Sequence, residues 1–183
     1  MTVALTQALV EIERHVAAYG WDQQARLYAL VDTAELARTE PDLAAQLGLS
    51  ADRDAPIDTL TPIEQEEVPE NVAIDEFLAS IAWPEAVLGC ALVVERLMLP
   101  PAAEATMPAV GSDREIHEWV ASHPQRQEVR LAVGVLRDGS RESAVRLRDK
   151  DDDSEVLSGA DLVPGLAEAL LATFGEGDED EDR

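Results

Sequence analysis

The residues whose type and spacing come nearest to a site for chemistry are four aspartates, Asp149, Asp151, Asp152 and Asp153. Carboxylates at alternate positions are how a calcium loop offers oxygen ligands to a hard cation. Asp149, Asp151 and Asp153 keep that spacing, but no glycine occupies the sixth position of such a loop and no glutamate the twelfth. The run around Lys150 therefore reads as a solvated turn, with those three aspartates as weak candidates for a metal. Glu66 and Glu67 are a second acidic pair. They fall in a polar stretch, without the burial that raises a carboxyl pKa into the range of a general acid.

The other chemistry-bearing types are scarce. His15, His117 and His123 are the histidines, and the last two, six residues apart on one helix, face about 120° away from each other. They do not make a helical metal pair, and His123, directly before Pro124, reads as a packed or capping residue. Cys90 is the single cysteine, set within an apolar run, and reads as an inert core thiol. His-x-x-x-His, Cys-x-x-Cys, Gly-x-Ser-x-Gly and a glycine-rich phosphate loop followed by lysine do not occur in the sequence. No cofactor is expected.

The element on which the rest is arranged is Val87–Val94, where every side chain is apolar or absent, in a run from Trp83 to Pro101. Pro84 and Pro100 fence it, as expected of a strand buried on both faces. The expected fold class is α+β: one domain over 1–174 with a mainly antiparallel sheet and helices packed on it. Strands are expected near 26–32, 87–99, 129–136 and 140–148, and helices over 2–19, 74–82, 112–123 and 162–174. Leu5, Leu9, Ile12, Val16 and Tyr19 give the first helix one apolar stripe, closed by Gly20. Asp32 caps a short helix through Arg38, and Pro41 opens another that Gly48 ends. Ser112 and Glu115 form a capping box ahead of a helix with Ile116, Trp119, Val120 and His123 on one face. Asp161 is expected to cap the last helix.

Between 129 and 148 the apolar alternation fixes a hairpin register. A two-residue Asp138-Gly139 loop would pair Leu131 with Arg146. A three-residue loop with Gly139 left-handed pairs Leu131 with Val145 and Val129 with Leu147, gathering the branched residues on one face. The other face, with Arg130, Arg146 and Arg148, is expected to be partly wet. Residues 50–72, with three prolines, seven acids and one arginine, read as an irregular loop in which Thr61-Pro62-Ile63-Glu64 could start a helical turn. Residues 102–111 read as a loop, and the acidic tail 175–183 as disordered.

The net charge is −24, of which the tail carries −5. A body that acidic repels nucleic acid and anionic lipid and favours cationic partners. No apolar run approaches the length of a membrane span, and the N-terminus lacks a signal-peptide pattern. The expectations are a cytoplasmic protein without nucleic-acid binding or direct membrane insertion. Trp21-Asp22, Arg26–Thr33, Ile81–Pro101 and Val129–Arg141 together resemble a family of uncharacterised actinobacterial proteins, acidic and about this long. The likeness covers most of the chain outside the 50–72 loop and the tail, and it implies no catalytic residue. The layout alone, an acidic α+β chain with a terminal helix, is similar to that of type III secretion chaperones, an analogy that does not fix function. The function expected is a non-enzymatic protein-interaction module, an adaptor or chaperone-like binder with a protein partner or a second copy as a homodimer. Trp83, Glu66 and Glu67 are the candidate partner contacts. The alternative is a divalent-cation-dependent enzyme with an acid-lined site.

Overall fold

A computed structural model describes residues 2–49, 58–65 and 68–175. Its frame is a six-stranded antiparallel sheet of spatial order β2-β1-β3-β4-β5-β6. The strands are β1 (Arg26–Asp32), β2 (Leu60–Glu64), β3 (Val87–Met98), β4 (Gln127–Leu136), β5 (Arg141–Leu147) and β6 (Leu157–Gly159). The apolar octet is the heart of β3, which runs inside the sheet between β1 and β4. Both of its faces are covered. Helix α1 (Thr2–Ala17) lies on one side; α4 (Ile74–Ala79) and α7 (Pro164–Ala172) lie on the other.

The two faces differ because the residues do. On the α7 side, Leu92, Val129, Leu131, Val133 and Val135 pack against Leu166 and Leu170. On the α1 side the sheet carries Ala91, Ala132, Gly134 and Ala144, and this shallow floor admits Leu5, Leu9 and Ile12 closely. A Cβ built on Gly134 would stand 3.1 Å from a methyl of Leu5 and 3.3 Å from one of Leu9. Glycine at that position is what lets the helix sit so near the backbone.

The hairpin has the three-residue register, with Leu131 opposite Val145, Val129 opposite Leu147, and Gly139 at φ +85°. Asp32 caps α2 (Thr33–Thr39) by accepting from the Glu35 amide. Helix α3 (Pro41–Gln46) is followed by Gly48 at φ +70°. Ser112 and Glu115 close a full capping box at the start of α6 (Asp113–Ser122).

Several expectations are corrected. The polar stretch is not wholly irregular, and Thr61-Pro62-Ile63-Glu64 starts no helix: it belongs to β2, paired with β1 so that Pro62 faces Leu30. Gln65 donates to the Leu27 carbonyl and Thr33 to that of Thr59, so the bonded positions are the odd-numbered ones. Pro62 falls between them, at a site whose missing N–H would point outward, which is why an edge strand tolerates it. The segment after Pro100 is not all loop, since α5 spans Pro101–Glu104. Asp161 caps nothing. Helix α7 begins at Pro164 after Val163, and Asp161 lies 3.7 Å from Arg141 instead. The first and fourth helices are shorter than expected, ending at Ala17 and Ala79. The tail beyond Gly175 lies outside the described residues.

The largest correction concerns the arginine face, of which only Arg148 stays partly wet, 35% exposed. Helix α1 and the turn after it cover the rest, and Arg130 and Arg146 are both buried. Glu13, one turn after Leu9 within the buried side of α1, takes both ends of the Arg146 guanidinium at 2.6 and 2.9 Å. Removing one member of such a pair leaves the other charge buried and uncompensated, at a cost of about 3–5 kcal/mol. Arg146→Met, which strands the buried Glu13 carboxylate, is therefore expected to lower the unfolding free energy by about that much in chemical denaturation, and Glu13→Ala by less, since Asp151 and Asp153 still meet the guanidinium. The double replacement Glu13→Met with Arg146→Met should recover most of the loss, and equal instability of Arg146→Met and the double variant would refute this account of how α1 is held.

Candidate functional site

The ends of β3 and β5 and the starts of β1 and β4 meet at one margin of the sheet, as the antiparallel pairings Arg26 with Val93, Met98 with Gln127 and Val129 with Leu147 require. A cleft of about 780 Å³ opens there. Its floor is apolar: Val94, Leu97 and Val129 from the sheet, Ile74 at the start of α4, and Ile116 and Val120 from α6. Its rim is charged, with Asp22, Glu70, Glu95 and Glu128 against Arg96 and Arg148, and with His117 and Trp21 as further walls.

Trp21 is fixed by the turn that follows α1. Gly20 takes φ +83°, and the chain folds back across the sheet margin. The Trp21 indole N–H donates to Asp151 at 2.9 Å. The Arg130 guanidinium lies 4.4 Å from its ring centroid and that of Arg148 5.5 Å, contacts in which the negative face of the ring attracts the cation. Glu95 gathers the turn by accepting from Arg130 at 2.8 Å and from the Asp22 and Gln23 amides at 2.8 and 3.3 Å. Asp22, itself left-handed at φ +63°, takes both ends of Arg148 at 2.9 and 3.0 Å. The hydrogen bonds and charge of Arg148 hold the Asp22 carboxyl below its ordinary range.

Helix α6 forms the other wall in an unusual way. Ile116, Trp119, Val120 and His123 do share one face, and all four are half-buried, none fully. It stands by local bonds: the capping box, Arg114 to Glu118 at 3.0 Å, and the Trp119–His123 ring contact at 5.0 Å. His123 closes its end by accepting from the Gln125 amide at 3.1 Å.

The candidate metal ligands go elsewhere. Asp151 and Asp153 accept from Arg146 at 3.1 and 2.6 Å, completing the cluster begun by Glu13, while Asp149 sits exposed in the single 3-10 turn Arg148–Lys150. Among the described residues no group of three or more histidines, cysteines or acids is placed to hold a metal ion. Trp83 is at the opposite end of β3, where its indole N–H donates to Thr173 at 2.8 Å and its ring stacks on Phe174; it does not line the cleft. Glu66 and Glu67 lie outside the described residues. The cleft residues escape sequence reasoning because they come from the ends of separate strands. One signal was there to read: Glu13 follows Leu9 by one helical turn, an acid within the apolar side of α1 that demands a cation beneath it.

A family model described as PPA1309-like protein matches residues 5–175. No curated protein and no solved structure matches the chain. No helix among the described residues is long and apolar enough to cross a membrane.

Two measurements check this electrostatic picture. The Asp22 carboxyl should titrate below the ordinary Asp value, by carbon-detected NMR, and return toward it in Arg148→Gln. As pH falls through that lowered value, the Asp22–Arg148 contribution to stability should disappear, having been fully present above the ordinary one. Burial pushes the Cys90 thiol up to about 12. A thiol-alkylating reagent at neutral pH should therefore leave the native protein unmodified and label it only as fast as it unfolds; prompt labelling without denaturant would contradict that burial.

Proposed function

The chain belongs to the PPA1309-like protein family, and we propose that it works as a non-enzymatic protein-interaction module, an adaptor or chaperone-like binder in the actinobacterial cytoplasm. One observation carries this reading: the cleft has an apolar floor, and one wall is an amphipathic helix whose apolar stripe stays only half-buried. A helix whose apolar stripe is only half-covered by its own fold keeps part of that stripe for contact with another chain. The surrounding acids point the same way. Glu95 is taken by Arg130 and two backbone amides, and Asp22 by Arg148. Carboxylates so engaged hold a surface in shape rather than move protons.

Panning a random peptide display against the full chain tests the proposal. Enriched peptides are expected to shift the indole resonance of Trp21, which lines the cleft, and to leave Trp83 undisturbed. They should bind Val120→Asp at least about tenfold more weakly, because an unpaired carboxylate placed on the cleft floor penalises an apolar ligand. Enrichment of nothing, or of peptides that bind the variant equally well, would overturn it.

A further inference from the structure

The cleft itself narrows what can occupy it. Its volume, about 780 Å³, lies within the roughly 300–1,000 Å³ of sites that enclose drug-sized ligands, enough for a pair of large side chains. Val94, Val129 and Val120 would surround an apolar anchor there. At the rim, carboxylates outnumber guanidinium groups by four to two; Asp22 already takes both ends of Arg148, which leaves Glu128, 3.4 Å from the same guanidinium and not hydrogen-bonded to it, as acid in excess. Glu70, exposed, is held by the Gln24 amide at 2.7 Å, a neutral partner. Around all of this is a chain of net charge −24. A second copy would bring the same charge to the same face, and like fields oppose that encounter while a cationic segment is drawn in.

We propose that the cleft receives a basic segment of a partner protein, one large apolar side chain seated between α6 and the Val94–Val129 floor with flanking arginines or lysines against Glu70 and Glu128. This deepens the interaction-module reading and rests on it. The recognition divides as interfaces commonly do, the buried anchor supplying affinity and the rim charges supplying association rate and choice of partner.

Three synthetic fluorescent peptides serve as probes against the full-length protein. One carries a central phenylalanine flanked by arginine and lysine, the second the same phenylalanine flanked by glutamate, and the third the basic flanks around glycine. Anisotropy should show binding of the first alone, weakening as salt is raised. A shift of the Trp21 indole should place it in the cleft, which that ring lines. Glu70→Lys with Glu128→Lys, both surface changes, should weaken binding about tenfold or more, and Ile116→Ser should do so without altering the salt dependence. If the glutamate-flanked peptide binds the cleft as tightly, the charge assignment is wrong while the interaction-module reading survives. If the glycine peptide binds equally well and the Trp21 indole does not move, the attraction is diffuse and the proposed segment is refuted. Absence of binding by all three peptides refutes it too, and random-peptide display then decides the broader reading separately.

Discussion

Two guanidinium groups lie beneath α1 and the turn that follows it, out of reach of water, and the arrangement of the molecule follows from how they are neutralised. Arg146 is met by Glu13 from above and by Asp151 and Asp153 from the side. Arg130 is met by Glu95 and the Gly20 carbonyl and is capped by the ring of Trp21. A buried charge tolerates almost no displacement of its partners, because the interior does not rescue it with solvent. The same contacts therefore fix the rotation of α1 on its alanine and glycine floor, the path of the turn through Trp21 and Asp22, and the fold of the aspartate run. The wall of the cleft is a by-product of solving that problem.

Much of the fold was legible in local chemistry. The Ser112–Glu115 box, the Asp32 cap and the Gly139 turn each depend on a few neighbouring residues, and each formed where those residues stand. The hairpin register was legible because a slip would have put arginines among valines. The misreadings share one cause. Alternation along 129–148 distinguishes two faces but not whether the polar one meets water, and the answer sits far away at Glu13. Likewise Pro62 argues against a strand until β1 supplies a partner that has no use for its nitrogen. The cleft needed four strand ends and two helices to be placed together, and no window of the sequence holds them all.

Helix α6 divides the labour of the fold in a way that bears on binding. The sheet and its two covering layers carry nearly all the fully buried residues, while α6 relies on its own cap and side-chain pairs. Its half-buried stripe belongs to neither of the two cores, so changes along it leave the packing on both faces of the sheet untouched.

The two flanks of the sheet have a bearing on how this protein can meet others. On one side proline occupies an outward ladder position of β2; on the other, β6 is three residues long and followed by Asp161. Among the described residues both margins therefore make poor templates for a further strand, which disfavours stacking of copies through their sheet edges.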